Sequence, residues 1–137
     1  MMSEIRFDTG EKTFDLNGKV EVRFNPADIL FLEKLYKAAE DLDAAQTAFA
    51  QAAGKQEKPF DLARECESKM RGIIDALFGV PVCDKLFDGV SVFAAGDGFP
   101  LWSNLLFAII DQMDDSLTAQ KTRAQERVRK YSAKYKR

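Results

Sequence analysis

The C-terminal third of the chain carries a helical repeat whose chemical character changes along its length. From Leu106 onward, apolar residues recur three or four positions apart with one interruption, at Leu106, Ile110, Met113, Leu117, Ala124, Val128, Tyr131 and Tyr135. This spacing is typical of one face of an α-helix. The pattern therefore predicts a long last helix that opens at Pro100, starts in an apolar region and ends in a charged one.

Charge divides the chain near the interruption in this repeat. Residues 121–137 contain eight basic residues and one acidic residue, a net charge of +7, whereas residues 1–120 contain 12 basic and 21 acidic residues, a net charge of −9. A helix dipole favours cations at its C-terminus, but only in the last turn, so it does not account for eight basic residues. We therefore predict a single α+β domain over residues 1–120 and a basic helical arm over residues 121–137, continuous with the last helix.

The basic arm combines cations with apolar and aromatic side chains, as helices that dock on protein partners do. Its candidate partner-binding residues are Arg123, Arg127, Val128, Arg129, Lys130, Tyr131, Lys134 and Tyr135. Nucleic acid is an alternative partner, because Lys and Arg neutralise phosphates and tyrosines stack on bases. The acidic remainder of the chain opposes the approach of a phosphate backbone, so we favour a protein partner with acidic groups.

The N-terminal residues alternate between apolar and polar side chains over residues 4–24. Such alternation predicts a half-buried, three-stranded antiparallel β-meander packed on a mainly helical body. A two-residue turn at Gly10 and Glu11 would pair Phe7 with Phe14, Ile5 with Leu16 and Arg6 with Asp15. A sheet this small needs helices or a second subunit to cover its apolar face, so self-association to a homo-oligomer is also open.

The second turn of the meander has two possible registers. A type I′ turn at Asn17 and Gly18 would place Phe14 opposite Glu21, an apolar residue against a charged one. A three-residue loop over residues 16–18 instead places Phe14 opposite Val20 and keeps the apolar face intact. We therefore predict the three-residue loop, with Gly18 left-handed.

The central sequence predicts two further helices. Asn25 and Pro26 suit the cap and first position of a helix over residues 26–53, with Phe24 packed on Ile29 and Gly54 as the stop. A second helix is expected over residues 60–78, ended by Gly79. Residues 90–93 have the composition of a short extended segment.

The sequence offers little material for catalysis or metal binding. Histidine does not occur in it, which removes the commonest general base and the usual ligand of transition metals. Cys66 and Cys83 form no CxxC pair, so we expect buried reduced thiols. Asp84, Asp88 and Gly89 lack the ligand spacing of a calcium loop. We therefore predict no catalytic, cofactor-binding or metal-binding residue, and no enzyme activity.

Hydropathy bears on the compartment of the protein. No stretch of about 18 uninterrupted apolar residues occurs, and the opening residues Met-Met-Ser-Glu-Ile-Arg do not form an apolar signal region. We therefore expect a cytoplasmic protein with no membrane contact.

Four features occur together in this chain: residues 22–28 at the end of the meander, a long acidic helix, residues 87–102 before the last helix, and a basic terminus with tyrosines. In combination they resemble tail assembly chaperones, small proteins encoded in the tail operons of siphophages and Gram-positive prophages. The resemblance covers most of the chain. It implies a non-enzymatic protein of the bacterial host cytoplasm that binds the tape-measure protein, recruits tail-tube subunits and leaves the finished tail. A structural tail or head-tail component that stays in the virion is the alternative within the same setting.

Overall fold

The chain forms an α+β fold, which the computed structural model describes over residues 2–55 and 58–135. Its helices are α1 (Ile29–Ala53), α2 (Pro59–Phe78), α3 (Cys83–Leu86) and α4 (Leu101–Tyr135). Its strands form two antiparallel pairs, β1 (Lys12–Leu16) with β2 (Val20–Phe24), and β3 (Ala95–Gly96) with β4 (Phe99–Pro100). The α+β class, the mainly helical body and the long last helix are confirmed.

The predicted three-stranded meander is wrong, because the N-terminal sheet has only the strands β1 and β2 among the described residues. Gly10 adopts a left-handed φ of 77° and donates its N–H to the Asp8 carboxylate, at 2.8 Å. The Asn25 side-chain amide donates to the Thr9 carbonyl, also at 2.8 Å. These bonds hold residues 8–10 beside the start of the helical body, so no turn forms at Gly10 and Glu11 to bring the first residues back along β1.

The register of the hairpin differs from both predicted registers. Phe14 lies opposite Val22, and Leu16 lies opposite Val20. Asn17 and Gly18 both have left-handed φ, as a type I′ turn requires, and the Lys19 N–H donates to the Leu16 carbonyl at 3.0 Å. Lys19 is an extra residue in the loop. Apolar residues therefore still oppose apolar residues, as predicted, but Phe14 pairs two positions further along β2 than expected.

Helix α1 begins later than predicted because two side chains share the capping. The Asn25 side-chain oxygen accepts the Ala27 N–H at 2.8 Å and closes a separate turn. Asp28 is the true N-cap, and its carboxylate accepts the Leu30 N–H at 2.9 Å. Ile29 is 75% exposed, and Phe24 stacks on Phe31 instead of burying Ile29.

The hydrophobic core joins the hairpin to the helices through stacked aromatic rings. Phe24 lies between Phe14 and Phe31, with ring centroids 4.5 Å and 4.4 Å away. Buried residues of all four helices, and Val82 just before α3, continue the core: Leu35, Leu42, Met70, Ile74, Val82, Cys83, Leu106, Ile109 and Met113. The hairpin is therefore covered on its apolar face by the helices of its own chain, at least around Phe24.

The ends of the first two helices follow the sequence closely. Helix α1 stops at Ala53 before Gly54, and α2 stops at Phe78 before Gly79, as predicted. Gly79 adopts a left-handed φ of 73°, the usual conformation of a glycine that ends a helix. Residues 90–93 form a bend and a turn and no strand, so the extended segment predicted there is wrong.

An ion pair on α2 organises the loop between α3 and α4. Glu67 and Arg71 lie 2.7 Å apart, and both side chains are only about one-fifth exposed. Glu67 also accepts the Ser91 hydroxyl at 2.8 Å and the Val92 N–H at 3.0 Å. Arg71 donates to the Asp88 and Val90 carbonyls, at 3.2 Å and 2.9 Å. The two side chains therefore supply hydrogen-bond partners for backbone groups of the loop that have no main-chain partner in the described part of the chain.

We predict that Glu67→Ala lowers the free energy of unfolding by about 2–3 kcal/mol, because it leaves Arg71 and the Val92 N–H without their shared acceptor. Urea denaturation followed by circular dichroism measures the change. Asp84→Ala is the matched control, since Asp84 also contacts Arg71, at 3.1 Å, but has a 94% exposed side chain. Equal urea midpoints for the Glu67→Ala variant and the wild-type protein would contradict this role of the ion pair.

Candidate partner-binding surface

Helix α4 is continuous over its 35 residues, about 52 Å at 1.5 Å per residue. A domain of this chain length spans roughly 35 to 40 Å. The helix is seated by its first turns, where the Leu101 and Trp102 N–H groups donate to the Ala94 and Val92 carbonyls, both at 2.9 Å. It contains no Gly or Pro that would break it. A helix of this length cannot be covered throughout by its own domain.

Burial along α4 stops part of the way down the helix. The buried side chains on its inner face are Trp102, Ser103, Leu106, Ile109, Met113 and Ser116. Gln120 is half-buried, and residues 121–130 are all exposed. The transition lies where the sequence changes from apolar to basic. The predicted basic arm is therefore continuous with a buried helix and projects beyond it.

The predicted partner-binding residues all belong to the last third of α4. Arg123, Val128, Arg129 and Lys130 have exposed side chains. The backbone of Tyr131, Lys134 and Tyr135 is helical, and the predictions for these three side chains lie outside the described part of the chain. Arg123 and Lys130 are seven residues apart and share one side of the helix, whereas Arg129 lies on another side. The cations therefore surround the helix.

An exposed apolar stripe runs along the same part of α4. Leu117 is 46% exposed and Val128 is 64% exposed. Ala124 lies between them on the same side of the helix, and Lys121, also on this side, interrupts the stripe where the sequence repeat is broken. This stripe has the spacing by which a helix occupies a groove on a protein partner.

The basic arm also borders a cleft with the N-terminal part of the chain. Asp8, Thr9 and Gly10 line one wall, and Arg123 and Arg127 line the other. The cleft has a volume of about 650 Å³. The sequence does not predict this contact, because residues 8–10 and residues 120–127 are more than one hundred positions apart.

A second concave surface lies between the hairpin and the first half of α4, and we call it the hairpin groove. It has a volume of about 570 Å³. Its apolar residues come from β1, β2, the end of α3 and α4: Phe14, Leu16, Phe24, Phe87, Leu105 and Ile109. Asp15, Lys19, Asn104 and Gln112 add polar groups. The alternation of β1 is the only sequence signal that points to it, since an apolar sheet face must be covered by something.

The loop that contains Asp84, Asp88 and Gly89 contacts the guanidinium of Arg71. Arg71 donates to the Asp84 carboxylate and to the Asp88 carbonyl, so a protein cation already contacts these oxygens. Burial lowers the pKa of the Arg71 side chain, whereas the hydrogen bond and the charge of Glu67 raise it. The net effect is a raised pKa, so Arg71 stays charged. Over residues 2–55 and 58–135, no group of three or more His, Cys, Asp or Glu side chains is arranged to hold a metal ion.

The two thiols are buried and separate. Burial raises the pKa of the Cys66 thiol, and the charge of Glu67 adds to this effect. Burial also raises the pKa of the Cys83 thiol far above its usual range, assisted by a hydrogen bond and the charge of Asp75. Both cysteines are free. Neither thiol has the lowered pKa that makes a cysteine reactive.

The raised pKa of Cys83 predicts a loss of stability in alkali. An unfolded thiol ionises with a pKa of about 8.5, whereas the folded Cys83 thiol stays neutral. Its contribution is therefore complete below about pH 8.5 and is lost as the pH rises toward the folded pKa. We expect the difference in unfolding free energy between wild type and Cys83→Ala, measured in urea, to narrow from pH 7 to about pH 10. A difference that stays constant would contradict the raised pKa.

None of the helices in the described part of the chain has the length and hydropathy needed to cross a membrane. No protein-family model, curated protein or solved structure matches the chain. The basic arm, the cleft beside it and the hairpin groove are therefore the features of the chain that bear on its function.

Proposed function

We propose that this chain is a non-enzymatic assembly chaperone of the phage tail type. In this proposal, α4 binds the tape-measure protein through its basic arm, and the folded body recruits tail-tube subunits. The protein acts in the cytoplasm of the bacterial host and leaves the finished tail. The proposal extends the resemblance described above, and the structure supplies a surface suited to it.

The observation that carries the proposal is the exposure of α4 beyond Ser116. A helix with exposed Leu117 and Val128, surrounded by cations, has both the apolar contacts and the long-range charge that a docking helix needs. An ordinary surface helix gains stability by burying its apolar stripe on its own domain. Here the stripe continues past the domain, which favours a partner that covers it.

The neighbouring charges favour a protein partner over nucleic acid. Asp111, Asp114 and Asp115 are exposed on α4, all within three turns before Lys121. Carboxylates this close to the arm repel a phosphate backbone, whereas a protein partner can place basic groups against them. A partner helix with acidic residues along one half and basic residues along the other would match α4 along its exposed length.

We predict that replacing Lys121, Arg123, Arg129 and Lys130 together by Ala lowers the association rate with the tape-measure protein by about tenfold or more at low salt. These four side chains are exposed, so the fold should be unaffected. Surface plasmon resonance at several salt concentrations measures the rate. The matched control replaces Lys12, Lys34, Lys69 and Lys85, four exposed lysines of the body, by Ala and removes the same charge.

The partner itself is identified by a pull-down with tagged protein against the products of its neighbouring genes, with and without nuclease. Capture of the tape-measure protein after nuclease treatment is the expected result. Recovery of nucleic acid alone would instead identify the arm as a phosphate-binding device. Mass spectrometry of purified particles would detect the chain if it were a structural component that stays in the virion, and this result would contradict the chaperone proposal.

A further inference from the structure

One wall of the hairpin groove is the open edge of β1. The sheet has two strands, so β1 pairs with β2 on one side only. Within the described residues, no main-chain hydrogen bond from outside the hairpin reaches β1. An antiparallel strand directs only half of its N–H and C=O groups to each neighbour, so the outer edge of β1 offers donors and acceptors to another strand.

The N-terminal segment has the properties of a strand that lacks a sheet. Residues 2–9 belong to no helix or strand. Ile5 is 88% exposed and Phe7 is 79% exposed, and as residues two apart they share one face of an extended chain. The polar residues between and around them, Glu4 and Arg6, form an exposed ion pair at 2.9 Å. Two large apolar side chains are therefore exposed to solvent with the two-residue spacing of one face of a strand.

In this structure the segment does not lie in the groove of its own chain. The bonds from Asn25 to Thr9 and from Gly10 to Asp8 fix the backbone immediately before β1. A Cβ atom at Gly10 would lie 2.6 Å from the Asn25 amide nitrogen, which shows how closely the two are packed. Residues 8–10 line the cleft with α4 near Arg123, at the other end of the hairpin from the Asn17 turn. The segment therefore starts away from the groove.

We propose that residues 4–8 of a second copy of this chain add to β1 as an antiparallel strand and fill the hairpin groove. Pairing Phe7 with Phe14 and Ile5 with Leu16 places both incoming apolar side chains on the face of β1 that lines the groove. The same register places Arg6 opposite Asp15. The pattern of complementary residues that suggested a hairpin in one chain is thus satisfied between two chains.

Charge selects this register over its neighbours. Shifting the incoming strand by two residues in one direction places Glu4 opposite Asp15, and in the other direction places Asp8 opposite Asp15. Like charges directly opposite each other are unfavourable. A shift by one residue would turn Ile5 and Phe7 away from the groove. Each copy has one segment and one groove, so reciprocal exchange closes a two-fold symmetric dimer.

A cysteine pair tests the proposed contact directly. In the variant Arg6→Cys with Asp15→Cys, the two thiols lie opposite each other across the exchanged strands, within the range of a disulfide. Mild oxidation should give a covalent dimer on a non-reducing gel. The control variant Arg6→Cys with Arg23→Cys places the second thiol on β2, beyond β1 from the incoming strand, and should give little dimer. Native Cys66 and Cys83 are buried and present in both variants.

Analytical ultracentrifugation of the reduced, full-length protein supplies the second measurement. Phe7→Asp should weaken the dimer on the order of tenfold or more, since Phe7 leaves water only in the dimer. Met2→Asp is the control: it adds the same charge to the same segment outside the paired residues. A disulfide formed within one chain, or a wild-type protein that stays monomeric at every soluble concentration, would overturn the proposal. So would equal dissociation constants for the Phe7→Asp and Met2→Asp variants.

Discussion

The direction in which α4 leaves the body depends on the ion pair between Glu67 and Arg71. These two side chains hold the loop that follows α3, through the Val92 N–H and the Asp88 and Val90 carbonyls. The same loop accepts the first N–H groups of α4, which a helix cannot satisfy by itself. A charged contact on α2 thus orients a helix whose far end carries the proposed partner-binding residues. A change in the position of this loop would therefore change the direction of the arm.

The long helix and its exposed end could be predicted because their signals are local. The repeat of three and four residues runs through α4 without a Gly or Pro, and the basic residues that mark the arm are contiguous. The predicted length of the helix was sufficient to show that it extends beyond its own domain. The same holds for the end of α2, where Gly79 and Pro81 follow the last helical turn.

The errors at the N-terminus have a different origin. Alternation of Ile5, Phe7, Phe14 and Leu16 reports which side chains share a face, but it does not say which strands pair. The bond between Asn25 and Thr9 joins residues 16 positions apart and depends on the folded start of α1. The side-chain parity of the hairpin was predicted correctly because it follows from the alternation itself. The hairpin groove draws on residues from Phe14 to Gln112, so only the folded chain brings it together.

The length of the arm separates its positive charge from the negative charge of the body. Residues 121–135 span about 22 Å of helix, more than two Debye lengths at physiological ionic strength, where this length is about 8 Å. A partner that approaches the end of the arm therefore meets a cationic field that the acidic body barely offsets. Nearer the body, Asp111, Asp114 and Asp115 reverse the sign of the field on the same rigid helix. The helix thus presents an ordered change of charge to anything that lies along it.

The position of the single tryptophan gives the molecule an internal optical reporter. Trp102 is buried at the root of α4, and its indole N–H donates to the side-chain oxygen of Gln46 on α1. It lies about 39 Å along the helix from Val128. Its fluorescence therefore reports whether α4 is seated on α1, and it is too distant to sense a ligand at the tip of the arm directly. A change in its emission on partner binding would mean that the whole helix has shifted in its seat.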